Sequence, residues 1–123
     1  MHIRLAKPQD IPGIVALVEE HARRGALLPR TVQSIQETLG NWMVGKDEEE
    51  EIVACVSLHR YTPALAEVRS LAVADKVQGQ GYGRTITKAI IAEARLRNIP
   101  TLFALTRVVP FFQKLGFQTT GKE

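Results

Sequence analysis

The segment Gln78-Gly79-Gln80-Gly81-Tyr82-Gly83-Arg84 constrains this chain more than any other. It lies between an alternating run ending at Val73 and an amphipathic run from Gly83 or Arg84 to Arg97. Such a segment reads as a strand-to-helix turn. Glycine at every second position lets backbone approach a ligand and adopt conformations closed to other residues. The helix that follows aims unpaired amides and the positive end of its dipole into the turn. A phosphate or pyrophosphate is the natural occupant. Two better-known phosphate loops do not fit. A P-loop closes on Gly-Lys-Ser/Thr, whereas Gly83 is followed by Arg84 and Thr85, and the dinucleotide fingerprint needs glycine where Arg84 stands. Taken alone, the run is equally compatible with a glycine turn that holds no ligand.

The flanking sequence supplies a frame. Ile3 and Leu5 alternate with polar neighbours and predict a first strand. Asp10 is a candidate N-cap for a helix carrying Ile11, Ile14, Val15, Val18 and Ala22 at helical spacing, with Gly25 as the stop. A short helix is predicted over 31–39, and strands over 42–44 and 52–58 are predicted to pair across the acidic run Asp47 to Glu51. Five like charges read as a solvated turn, with a metal site as the alternative reading. Residues 65–73 form the next predicted strand, with Glu67 and Arg69 set against Val68, Leu71 and Val73. The long helix should bury Ile86, Ala89, Ile90 and Ala94 and end at Asn98 and Pro100. A buried strand over 102–105, a short helix over 110–115 and a last strand over 117–120 complete the prediction. The fold class is α/β (α+β): a mixed, mostly antiparallel sheet flanked by helices, in one domain over residues 1–123.

Composition excludes several functions. At 45% hydrophobic and 24% charged, the chain is ordinary globular material. No stretch approaches the roughly 20 apolar residues of a membrane span. A net charge of +3 without a basic, aromatic-interleaved stripe gives no nucleic-acid footprint. The lone cysteine, Cys55, cannot form an internal disulfide, and no Cys/His spacing resembles a metal site. A reducing, cytoplasmic setting is expected, and Cys55, inside Val53-Ala54-Cys55-Val56, reads as an inert buried thiol.

Read with its flank Ser70-Leu71-Ala72-Val73, the glycine turn resembles the coenzyme A loop of the GNAT N-acetyltransferases. Their pattern of Arg or Gln, two residues, Gly, one residue, then Gly or Ala falls on Gln78, Gly81 and Gly83. A second segment, Pro110-Phe111-Phe112-Gln113-Lys114-Leu115-Gly116-Phe117, is similar to the family's helix-then-strand signature beside the thioester. The blocks His21 to Arg30, Ala66 to Val73 and Phe103 to Thr106 resemble stand-alone bacterial N-acetylglutamate synthases.

The resemblance implies acetyl-CoA as cosubstrate, no metal, and direct transfer of acetyl to an amine. Leu71, Ala72, Val73, Gln78, Gly79, Gln80, Gly81, Tyr82, Gly83, Arg84 and Phe112 would bind the coenzyme. The favoured base is Glu67, directly or through a water, with His59 second; a surface pair between Glu67 and Arg69 is the competing reading. Arg23, Arg24, Arg30 and Arg69 are candidates for an acidic acceptor, although Arg23 and Arg24 also suit a helix C-terminus. Many family members have tyrosine where Phe112 stands, so Tyr82, Tyr61 or a water is left to protonate the thiolate, if anything does. The family's final strand, which lies beside the fifth, is expected to be missing from this sequence, and a partner subunit, as in a homodimer, would be one way to cover the gap. The first expectation is acetylation of an amino acid, L-glutamate for arginine biosynthesis. Another small amine, a protein N-terminus, or a non-catalytic acetyl-CoA-binding module are the alternatives.

Overall fold

A computed structural model describes residues 1–120. Strand β1 (His2–Leu5) leads through a turn at Pro8–Asp10 into helix α1 (Ile11–Arg23), and α2 (Val32–Glu37) follows. Strands β2 (Trp42–Lys46), β3 (Ile52–Thr62) and β4 (Leu65–Val73) form an antiparallel meander. Helix α3 (Tyr82–Leu96) then crosses to β5 (Thr101–Phe103), which runs parallel to β4, and α4 (Val109–Gln113) comes last among the described residues. The sheet order is β1-β2-β3-β4-β5. The mixed, mostly antiparallel sheet predicted from the sequence is therefore present.

Each face of the sheet has its own core. Ile14, Leu17 and Val18 of α1 and Ile35 of α2 pack on Trp42, Val44, Cys55 and Ala72. On the other face, Ile86, Ile90 and Ala94 of α3 meet Met43, Ala54, Val56, Leu58, Ala66 and Val68. Ile86 and Ile90 are at most 1% exposed, and burying each contributes about 1.5–3 kcal/mol. Local chemistry sets the element ends. Thr31 Oγ1 accepts from the Ser34 amide at 3.0 Å and starts α2, while Gly25 after α1 has φ +75°, a conformation glycine takes without penalty.

Three expectations change. Asp10 does not cap α1; its buried carboxylate turns back to Arg4 in a two-point pair (2.6 and 3.1 Å) and accepts from the Lys7 amide. A guanidinium fork outcompetes a helix amide for the same oxygens. Leu105, predicted as part of a buried strand, is 80% exposed because β5 ends at Phe103. Residues 117–120 form no strand: Gly116 (φ +99°) reverses the chain, the Phe117 amide bonds to the Phe112 carbonyl at 3.1 Å, and no ladder partner lies among the described residues.

Candidate active site

The site is built where β4 leaves β5. Their parallel pairing covers only Leu65, Ala66 and Glu67 against Thr101, Leu102 and Phe103. Beyond Glu67, the side of β4 toward β5 has no strand partner among the described residues, so a slot opens along Val68 to Val73. The other side of β4 remains paired to β3 but slips register between the Cys55↔Ala72 and Ser57↔Arg69 pairs. Ser70 is the extra residue of this bulge, at φ +54°. The slip sends Leu71 and Val73 to the α3 side together with Val68, while Ala72 faces α1. Successive amides of β4 alternate between its two sides. That of Ala72 turns toward β3, as the Ala74 amide does in bonding to the Val53 carbonyl at 2.8 Å. Of the amides expected to receive a thioester carbonyl, those of Leu71 and Val73 therefore share the parity of the opened edge.

At the foot of the slot lies the glycine loop. Gly79 and Gly81 both have φ +81°, and a Cβ added to either would meet nothing within 4 Å. This is an open cradle whose walls are backbone. Gly81 is the N-cap of α3, and Thr85 is the first amide to bond back, to the Gly81 carbonyl at 3.0 Å. The amides of Tyr82, Gly83 and Arg84 thus have no helical acceptor and face the cradle end. Those donors, with the helix dipole, fit a pyrophosphate. Gln78 closes the loop onto the strand, its Nε2 donating to the Val73 carbonyl at 2.9 Å. Gly83 is different in kind: its backbone is ordinary helix, and a Cβ there would touch Val73 and Phe111 at 3.5–3.7 Å. Phe111 is thus the ring that reaches the loop. Phe112 is buried on the α3 side, edge-on to Phe111 and Phe117 at 5.1 and 5.3 Å.

The α1 face of the sheet carries the polar groups. Alternation along β3 aims Ser57, His59 and Tyr61 to this side, and along β4 it aims Glu67 and Arg69 the same way. His59 and Glu67 are direct partners in the ladder. Glu67 is 6% exposed; its Oε1 accepts from the Tyr61 hydroxyl at 2.8 Å and from Arg69 Nε at 2.7 Å. Burial, helped by the charges of Arg69 and Arg30 and opposed by Glu67, holds the His59 pKa below its ordinary value. His59 is therefore neutral at pH 7 and able to accept a proton. Cys55 has no such role: burial pushes its thiol up to about 12, and Sγ lies 3.5 Å from the Ser70 carbonyl.

The four arginines separate. Arg30, in the connector between α1 and α2, brings Nε to 3.5 Å from Ser70 Oγ, over the bulge. Arg69 holds Glu67. Arg24 is instead taken up by Glu20 at 2.7 Å and by both oxygens of Asp75, in an exposed pair that ties α1 to the turn before the loop. Arg23 is exposed on the last turn of α1. The sequence raises Tyr61 only as a proton source for the thiolate. Tyr61 has the parity of His59 two residues earlier, but β3 slips register again between Arg60 and Thr62 and leaves Tyr61 as the extra residue there, a feature the alternation does not reveal.

A slot between diverging strands, a bulge and an anion cradle at a helix N-terminus together define an acyl-coenzyme-A-binding fold. The chain belongs to the acetyltransferase (GNAT) family, whose family model matches residues 14–117. It is thus an enzyme that uses acetyl-CoA, without a metal. An uncharacterized N-acetyltransferase from Chlorobaculum tepidum is 31% identical over 98% of this chain and 77% of its own length. The amino-acid acetyltransferase of Mycobacterium tuberculosis is 30% identical, over 94% of this chain and 67% of its own. The Neisseria gonorrhoeae N-acetylglutamate synthase, solved with coenzyme A and N-acetyl-glutamate, superposes with a TM-score of 0.90 at 30% identity. That match covers 97% of this chain but 28% of the Neisseria one, and this chain likewise spans 28% of the curated relative from Mannheimia succiniciproducens.

Proposed function

We propose that this protein transfers the acetyl group of acetyl-CoA to the α-amine of an amino acid, L-glutamate first, as a step toward arginine. The observation that carries the reading is one face of the sheet. Glu67, His59, Arg69 and Arg30 gather there at the point where β4 leaves β5, above the cradle. The names of the amino-acid acetyltransferase and N-acetylglutamate synthase relatives support it.

Gly79, Gly81 and the amides of Tyr82 to Arg84 hold the pyrophosphate. The amides of Leu71 and Val73 donate to the thioester carbonyl as negative charge develops there. The amine lone pair attacks the carbonyl carbon; a C–N bond forms, the C–S bond breaks, and the coenzyme leaves as thiolate. Glu67 takes the amine proton, directly or through a water, with His59 beside it as the alternative acceptor. Arg30 offers a forked donor to a carboxylate of the acceptor. A cytoplasmic location suits such a biosynthetic enzyme.

The test is thiol release from acetyl-CoA with each amino acid and a set of amines as acceptors. A glutamate-dependent rate is expected. Arg30→Ala should raise KM for glutamate about 10- to 100-fold, as loss of a charged hydrogen bond costs about 1.5–3 kcal/mol, and leave KM for acetyl-CoA unchanged. Rates with other amines only would overturn the glutamate assignment, and an unchanged glutamate KM would remove Arg30 from the acceptor site.

A further inference from the structure

We propose that Tyr61 is a positioning residue for proton removal, acting through a closed hydrogen-bond ring with Glu67 and Arg69. This inference rests on the reading of Glu67 as the base. The Tyr61 hydroxyl donates to Glu67 Oε1 at 2.8 Å, Arg69 Nε donates to the same oxygen at 2.7 Å, and Arg69 Nη2 donates to the Tyr61 oxygen at 2.7 Å. Each member is bonded to both others.

Two consequences follow. Both donors converge on Oε1, so Oε2 is the oxygen left to receive a proton from the amine or to orient a water. The Tyr61 hydroxyl spends its single proton on Glu67, so the phenol works by direction instead of by supplying the thiolate.

Packing does not account for a tyrosine here. Tyr61 is 49% exposed, and phenylalanine would bury the same ring. The ring is nevertheless bracketed: His59 meets it edge-on with centroids 4.6 Å apart, Phe103 lies at 5.7 Å, and the Arg69 guanidinium carbon sits 5.7 Å from its centroid. A half-exposed aromatic held on three sides, with its hydroxyl turned inward, is a device for direction. The terminal torsion of a glutamate is broad and nearly two-fold. With Arg69 as its one remaining donor, Glu67 could exchange its two oxygens, and a free lone pair would face the acceptor for only part of the time.

The experiment measures kcat, both KM values and the thermal midpoint for Tyr61→Phe, Arg69→Lys and Glu67→Gln. The acceptor is whichever of the twenty amino acids turns over fastest with the unaltered protein. Tyr61→Phe should lower kcat about tenfold or more, a fraction of the roughly 10²–10⁴ that a positioned base contributes. KM for acetyl-CoA should stay unchanged, and the thermal midpoint should fall by no more than several degrees, leaving the protein folded at the assay temperature. Arg69→Lys keeps the charge but loses the fork, and should lower kcat in the same way. Glu67→Gln should lower it further. Loss of activity in Glu67→Gln with full kcat in Tyr61→Phe would overturn the ring and leave the base standing. Full activity in Glu67→Gln would overturn the base and the ring together. A raised acceptor KM at unchanged kcat in Tyr61→Phe would also overturn the proposal, making Tyr61 an acceptor contact.

Discussion

Gly81→Val separates the fold of the loop from its use. Gly81 has φ +81° and open space above its α-carbon. In the free protein the valine Cβ therefore meets no neighbour within 4 Å, and the substitution brings mainly the cost of a left-handed backbone, at least about 1–2 kcal/mol for a β-branched residue. That loss lowers the thermal midpoint by several degrees in a chain of 123 residues. With coenzyme present the arithmetic changes. The added side chain fills the cradle beside the first amides of α3. Losing two hydrogen bonds to a charged phosphate costs about 3–6 kcal/mol, or about 10²- to 10⁴-fold in Kd. Calorimetric titration with coenzyme A, beside thermal unfolding of the same samples, reads both numbers. Gly40→Ala is the control, since Gly40 also has open space but an ordinary φ, and neither quantity should move. A folded Gly81→Val protein that binds coenzyme A as well as the unaltered protein would refute the cradle.

Two further predictions concern charge. Asp10 is 1% exposed; burial alone would raise its pKa, but the Arg4 pair, the Lys7 amide and Lys46 together hold it below the usual carboxylate value. Asp10→Ala should cost about 3 kcal/mol in urea unfolding by stranding Arg4, and in the unaltered protein the carboxylate's contribution is full above about pH 4 and lost as pH falls below it. His59 has the opposite character, a base whose folded pKa lies below its ordinary value of 6.5. The stability it contributes relative to His59→Gln should be constant above that value and decline as pH falls through it toward the lower folded pKa, as thermal midpoints between pH 8 and 5 would record.

Much of the frame was legible because periodicity is local. The helical spacing of Ile11, Ile14 and Val18, the acidic turn, and the strand-loop-helix passage from Leu65 to Arg97 each depend on residues close in sequence. What escaped depends on partners far away. Arg24 finds Asp75 from 51 residues distant, so nothing near Arg24 marks it as taken. Asp10 has the composition of a cap and the neighbours of an ion pair. The expected strand over 117–120 has suitable residues but no ladder partner among the described residues. The bulge left a faint trace: Val68, Leu71 and Val73 share one face, although the first two are three positions apart. Strict alternation cannot do that.

Ser70 makes the two sides of the strand independent addresses. Deleting it would close the ladder without turning anything over: after Arg69 on the α1 side, Leu71 and Val73 would still alternate onto the α3 side and Ala72 onto the α1 side, but the left-handed step beside the slot would be gone. A bulge is an integer, so this part of the enzyme cannot be adjusted by degrees. Substitution at the same position is a gentler matter, limited by which residues tolerate φ near +54°. Glycine, asparagine and aspartate meet that condition, and a β-branched residue does not. Residue 70 is thereby constrained by a backbone angle as much as by chemistry, and the upstream proton-handling face can vary without disturbing the downstream groove.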